Sequence, residues 1–321
     1  MPLPAACRRA ALLGAAGLAV PGLARAQAWP ARPVRILVPF PPGGSNDVIA
    51  RILQPRLAAQ LGVAVQVENR AGGLGSTAAI EAMRAPADGQ TWLLSFDSEA
   101  TNATLLDLPY RVLEDFIPAG RIGIGPVVIG ASASRPWRDL ADLAVTARAA
   151  PVEFATAGSG GIPHLAMLTV AEALGLRLVQ TSYRGGAAAL EDVTAGFVPL
   201  IASNLPVMGG PIRAGTLRPL AVTTREQSRH LPGVRSLAEQ GVPGFDSGTW
   251  WMLLGRSAAP EAARSRMAQA LASVLAEPEV RRRIEEQGVE VAPLAPPAAQ
   301  AFLAAEVARW ATMIRRFGVR A

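Results

Sequence analysis

A chain of 321 residues, half of them apolar and 17% charged, is long enough for two domains that each bury a core. All 31 basic residues are arginine, which a GC-rich coding sequence explains without a special need for guanidinium, and 25 acids are scattered among them. Six Trp and two Tyr accompany them with neither a basic stripe nor a stacking platform, so the composition argues against nucleic-acid binding and for a solvated surface.

The first 28 residues read as a leader. Arg8-Arg9 precede the apolar run Ala10–Val20, and two overlapping A-x-A sites follow, Ala24-Arg25-Ala26 and Ala26-Gln27-Ala28. A charged start, an apolar middle and a small-residue cleavage site describe a secretory signal peptide. The run is shorter than the ~20 apolar residues of a membrane span. The paired arginines also resemble a twin-arginine signal, and an ordinary Sec leader fits as well, so the export route stays open. Without Arg8, Arg9 and Arg25 the chain carries 28 arginines against 25 acids, a net charge of +3. Cys7 is the only cysteine and leaves with the leader, so neither disulfide nor thiolate chemistry is expected of a soluble periplasmic protein.

Strand Val34–Val38 feeds the proline-glycine loop Pro39–Gly44, and Ser45 or Asn46 is expected to cap a helix carrying Val48, Ile49, Ile52, Leu53, Leu57 and Leu61 on one face. Pro55 should kink this helix or shift its boundary, and Gly62 should end it. The unpaired N–H groups and dipole of such a helix make a site for an anion such as a carboxylate. A second strand, Val63–Val67, leads through Gly72-Gly73-Leu74-Gly75-Ser76 to helix Thr77–Arg84, and Thr91–Phe96 is the third strand. A less regular stretch, Asp97–Ile117, precedes strand Pro126–Ala131. The alternation then restarts with helix Asp139–Ala149, strand Val152–Thr156, helix His164–Leu174, strand Leu176–Ser182, helix Ala187–Ala195 and strand Phe197–Ala202. A short helix ends near Gly215, strands Leu217–Thr223 and Trp250–Leu254 follow, and three helices (about 260–276, 278–287 and 297–316) close the chain. Strands alternating with helices predict parallel α/β sheets, whose ligands bind beyond the carboxyl ends of the strands.

Ala157-Gly158-Ser159-Gly160-Gly161-Ile162-Pro163-His164 is the strongest chemical candidate. A serine hydrolase using Ser159 and His164 is one reading, but the nucleophile elbow needs G-x-S-x-G and no third member is evident. A neutral loop donating hydroxyl and backbone N–H groups to a carboxylate fits better. Only His164 and His230 remain as metal-type ligands outside the acids, far apart in sequence, so no metal site is expected. Gly72-Gly73-Leu74-Gly75 and Gly123-Ile124-Gly125 do not complete a dinucleotide fingerprint, and no cofactor is expected. Trp250-Trp251 are expected in the core or the cleft floor, and Arg281–Arg283 on a solvated helix face.

Taken together, the segments Trp29-Pro30-x-x-Pro33, VPFPPGGSND (38–47), ENRAGG (68–73), Ala87-Asp88-Gly89, LPY (108–110), AGSGGIPHL (157–165), YRGGAAALED (183–192), LAVTTREQSRHLPGV (220–234) and EQGVPGF (239–245) run in order through the chain. In these the chain resembles the extracytoplasmic solute receptors of the tripartite tricarboxylate transporter, the Bug family. The resemblance implies an α/β fold like the type II periplasmic binding proteins, with residues 29–130 plus 248–321 in one lobe, 131–247 in the other, and a ligand cleft and hinge between them. It implies a monomeric receptor, not an enzyme, that carries a small organic acid to integral-membrane transporter subunits. A sensory receptor for a membrane signalling protein would need the same clamshell.

Transferred residue by residue, the resemblance implies ligand contacts at Phe40, Gly43, Gly44, Ser45, Asn46, Asp47, Gly75, Ser76 and Ser95 from the first lobe. The second would supply Ser159, Gly160, Gly161, His164, Tyr183, Gly185, Gly186 and Ser203. Asp47 would repel a carboxylate, so its expected work is to organise the loop. Two departures stand out: Pro199 and Ser203 replace usual aspartates, and Phe96-Asp97-Ser98-Glu99 stands where relatives carry small neutral residues. The ligand's charge pattern is therefore expected to depart from a simple dicarboxylate, toward a monocarboxylate or an acid that also carries an amine.

Overall fold

The computed structural model describes residues 29–320. The leader expected over 1–28, with Cys7 and its arginines, lies outside them. The described chain runs β1 (Val34–Val38), α1 (Ser45–Leu61), β2 (Val65–Asn69), a 3-10 turn at Gly73–Gly75, α2 (Ser76–Arg84), β3 (Thr91–Phe96), α3 (Ser98–Leu105), α4 (Val112–Asp115) and β4 (Phe116–Ser132). It continues through α5 (Leu140–Ala149), β5 (Val152–Ala157), α6 (Ile162–Leu174), β6 (Leu178–Tyr183), α7 (Gly186–Thr194), β7 (Leu200–Asn204), α8 (Leu205–Arg213) and β8 (Leu217–Val222). The last elements are β9 (Gly248–Arg256), α9 (Glu261–Ala276), α10 (Pro278–Glu285) and α11 (Pro296–Phe317).

The strands are ordered β2-β1-β3-β9-β4-β7-β5-β6, with β8 also on β4. Within each half the strands that alternate with helices pair in parallel, β1 with β2 and β3, and β5 with β6 and β7. β4 joins the halves. Its first part pairs antiparallel with β9 as far as Pro126 opposite Gly248, and from Val127 it pairs with β7 and β8. Thr223 stitches the change of partner, its hydroxyl accepting from Val127 N at 3.1 Å and donating to Ser247 O at 2.7 Å.

Two of the expectations fail in instructive ways. The strand expected at Pro126–Ala131 extends to 17 residues, and its first half escaped expectation because Pro118, Gly120, Gly123 and Gly125 break the alternating apolar signal. The glycine at 123 is needed by packing: a Cβ there would stand 2.5 Å from Glu290 O. The stretch expected to be irregular contains α3 and α4. In addition, α1 starts one residue early for its expected caps. Its N-cap is Gly44, with no side-chain cap, so Ser45 and Asn46 sit inside the helix. Pro55 is accommodated within α1, since it and Arg51, whose carbonyl it leaves without a helical partner, both lie on the exposed face.

Burial follows the pleat. On β9, Trp250 and Trp251 point to opposite faces, and the two rings enter different cores. Trp251 belongs to the core between the sheet, α1 and α9, its ring 5.3 Å from that of Phe96, while Trp250 belongs to the core under α11, edge-on to Phe302 at 5.8 Å. Buried indole N–H groups need acceptors, and each has one: Trp251 Nε1 donates to Asn46 Oδ1 at 3.0 Å, and Trp250 Nε1 to Glu306 Oε2 at 3.1 Å. No helix among the described residues is long and apolar enough to cross a membrane.

Candidate functional site

The carboxyl ends of β1, β3, β5, β6 and β7 face one cleft of about 500 Å³. The loop before α1 supplies Phe40, Gly43 and Gly44, the helix itself Ser45 and Asn46, and the opposite half Ser159, Gly161, Gly185, Gly186 and Ser203. The structure thus brings these residues together from stretches more than a hundred positions apart.

Three helices begin at this cleft on a glycine N-cap with no side-chain cap: α1 on Gly44, α6 on Gly161 and α7 on Gly185. A glycine cap leaves the first-turn N–H groups unpaired by the chain itself, and the helix dipoles place partial positive charge there. Ser203 lies beside the start of α7, where a Cβ on Gly186 would be 3.3 Å from its hydroxyl oxygen. Asn46 is oriented by chemistry. Indole is a donor only, so Oδ1 must face Trp251, and the buried Nδ2 is left without a partner.

Other residues expected at the site do not line the cleft. Asp47 is buried and turned back, accepting from Gly43 N at 2.9 Å and from Arg51 Nε at 3.0 Å. Burial opposes its charge, but these hydrogen bonds outweigh that and hold it below the ordinary carboxylate range. It organises the loop. Ser76 and Ser95 are buried, and Gly75 packs its Cα side against Ser98, Pro39 and Phe40. Tyr183 donates to Asp192 Oδ2 at 2.6 Å, away from the cleft. Gly160 N donates to His164 Nδ1 at 3.0 Å, so this imidazole braces the loop from behind, and burial pushes its pKa down to about 4.

That arrangement also dismantles the Ser159–His164 dyad. Ser159 Oγ donates to Gln180 Oε1 at 3.0 Å, His164 Nδ1 is occupied by Gly160, and no hydrogen bond joins the two side chains. Among the described residues there is no group of three or more His, Cys, Asp or Glu able to hold a metal.

Several wall residues are not expected from the sequence: Leu74, Thr101, Asn102, Leu190, Val207 and Gln287. Leu74 is the one non-glycine residue among those described with positive φ, 54°, and its carbonyl accepts from Asn102 Nδ2 at 3.0 Å. Its place in a glycine-rich run was the available signal. Gln287 had none, since only the packing of α10 brings it to the cleft. Asp97, noted as a departure, lines the wall with 2% of its surface exposed and Oδ2 unpartnered. Burial, reinforced by the charge of Glu306, raises its carboxyl well above the ordinary range. Glu99 lies behind the wall rather than in it, donated to by the Tyr110 hydroxyl at 2.7 Å, and burial pushes it up to about 7.

Comparison with known proteins gives a consistent picture. Residues 49–319 match the sequence model of the tripartite tricarboxylate transporter family receptor. Protein BugT of Bordetella pertussis is 32% identical over 313 residues, covering 96% of this chain and 95% of the relative. The structure of R. palustris Rpa4515 with adipate superposes with a TM-score of 0.86 at 30% identity, covering 91% of this chain and 99% of that one. MatC from Rhodopseudomonas palustris with bound malate superposes with a TM-score of 0.80 at 26% identity, covering 89% and 99%.

Proposed function

This chain belongs to the tripartite tricarboxylate transporter receptor family, and from that premise we propose that it works in the periplasm as a monomeric receptor. It captures a small organic acid in the cleft and hands it to integral-membrane transporter subunits. The observation that carries the proposal is the convergence of three glycine-capped helix starts, α1 from one half and α6 and α7 from the other, on one cavity. A carboxylate placed there receives backbone N–H groups from both sides, so its binding favours bringing the halves together. Adipate and malate bound in similar receptors support an acid as the ligand.

In this reading Phe40, Gly43, Gly44, Ser45, Asn46, Ser159, Gly161, Gly185, Gly186 and Ser203 contact the ligand, while Asp47, Gly75, Ser76, Ser95, Gly160, His164 and Tyr183 hold the contact loops in shape. The moving lobes are residues 29–130 with 248–321, and 131–247. The change of strand partner at Pro126–Val127 supports a hinge a few residues before the first of those boundaries, and Ser247–Gly248 supports the second. The reading involves binding and release, with no covalent step. The leader directs export by the Sec or the twin-arginine route.

Thermal unfolding of ligand-free protein against a panel of organic acids tests this. A ligand at a hundred times its Kd stabilises the native state by about 2.7 kcal/mol, so a true ligand shifts the midpoint by several degrees. A folded, ligand-free sample that no acid stabilises would overturn the proposal.

A further inference from the structure

We infer that the cleft is built for a monocarboxylate with an apolar body rather than for a di- or tricarboxylate. This rests on the receptor reading and narrows it. The first observation is charge. Among the described residues no arginine or histidine lines the cleft, and Asp97, an acid, is its one ionisable side chain. A ligand's negative charge can therefore be met only by neutral donors and helix starts, and these are unevenly placed.

The start of α7 is the freest: a glycine cap, no side-chain cap and no acid in its first turn, with Ser203 beside it. The start of α1 adds its own N–H groups and the unpartnered Nδ2 of Asn46, which is 1% exposed. At the starts of α8 and α6 the donors are reduced. Asn204 caps α8 with its own side chain, accepting from Val207 N at 3.3 Å, and Pro206 in the first turn of α8 has no N–H. α6 loses one N–H to Pro163, and the start of α3, though without a side-chain cap, carries the Asp97 carboxyl as its N-cap residue. A second ligand carboxylate near α3 would face Asp97, with Glu306 adding its negative charge behind. Asp97, raised above the ordinary carboxylate range, offers such a group at most the one hydrogen bond of its protonated carboxyl.

The second observation is the remaining wall, which is mostly apolar: Phe40 set edge-on to Phe96 at 5.7 Å, with Leu74, Leu190, Pro206 and Val207 around the same cavity, and Thr101, Asn102 and Gln287 among its polar members. Such walls reward ligand methylenes and offer a second carboxylate little in exchange for its lost water. A cavity of about 500 Å³ also leaves room for a body well beyond a carboxylate.

Titration calorimetry on protein stripped of ligand by unfolding and refolding tests this with a matched pair, hexanoate against adipate, and with the straight-chain monocarboxylates from butanoate to octanoate. The expected result is affinity rising about fourfold per added methylene until the cleft is full, and hexanoate binding at least about tenfold more tightly than adipate. Leu190→Asn, at a half-buried position, should lower hexanoate affinity about tenfold and adipate affinity much less, with the native circular dichroism retained. Adipate binding as tightly as hexanoate, or an affinity that does not change along the series, overturns the inference and leaves the receptor reading standing. Binding of no acid at all overturns both.

Discussion

Replacing Gly158 by alanine should weaken ligand binding by holding the two halves apart. A Cβ at Gly158 would lie 2.5 Å from Leu74 Cδ2, across the cleft from the half that carries Leu74. Two costs separate cleanly. Gly158 has φ of +86°, where an alanine costs about 1–2 kcal/mol, and this is borne whether the halves are together or apart. It lowers stability and leaves affinity alone. The contact with Leu74 is borne only when the halves meet. Leu74 cannot retreat by its backbone, because its carbonyl is held by Asn102. Its Cδ2 must therefore rotate off a preferred rotamer, at about 0.5–1.5 kcal/mol, which weakens Kd about two- to twelvefold. The assay is calorimetric affinity with a melting curve for each variant. In a Leu74→Ala background the substitution should no longer affect affinity while still lowering the melting temperature. An affinity loss of equal size in both backgrounds, or none in either, would refute the reasoning.

Other outcomes follow from the same structure. Asn46→Ala deprives the buried Trp251 indole of its acceptor and should cost about 1–3 kcal/mol in urea unfolding, besides weakening ligand. Glu306→Ala strands two buried indoles, Trp250 and Trp310, which donate to it at 3.1 and 2.9 Å; it should cost at least about 2 kcal/mol, and Glu306→Gln, which keeps an acceptor, clearly less. Burial lifts Glu99 from 4.5 to about 7, so the stability it contributes is complete below pH 4.5 and is lost as pH rises through 7. At about 1.36 kcal/mol per pH unit this amounts to about 3 kcal/mol. Urea midpoints should therefore fall between about pH 5 and pH 8, and Glu99→Gln should reduce that fall. Asp97, also raised, contributes in the same direction, so a residual slope is expected; a midpoint that rises with pH would contradict the sign.

Much of the site was legible because it lies where strands end and helices begin. Gly43-Gly44, Gly160-Gly161 and Gly185-Gly186 each follow a β-branched or apolar run, and their glycine content marks tight turns wherever the rest of the chain goes. Burial was harder to read. Ser76, Ser95 and Tyr183 carry hydroxyls suited to a ligand, but the first two are buried by packing and the third is claimed by Asp192. His164 looked like chemistry beside Ser159, and its ring instead accepts from a backbone N–H four residues before it.

The features legible along the chain are local: the alternation of strands and helices, the glycine turns between them, and the family carried by ordered motifs from Trp29 to Phe245. Those features depend on side-chain periodicity and on backbone freedom, both readable within a dozen residues. Tertiary packing settled which turns meet, that β4 would run unbroken through its glycines from one half into the other, and that among the described residues the cleft would hold Asp97 but no cationic side chain. These depend on what packs from elsewhere: Glu290 against Gly123, Trp251 against Asn46, and Leu74 against Gly158. The physical reason is that a cleft's charge and shape are properties of neighbours distant along the chain, and no local pattern records them.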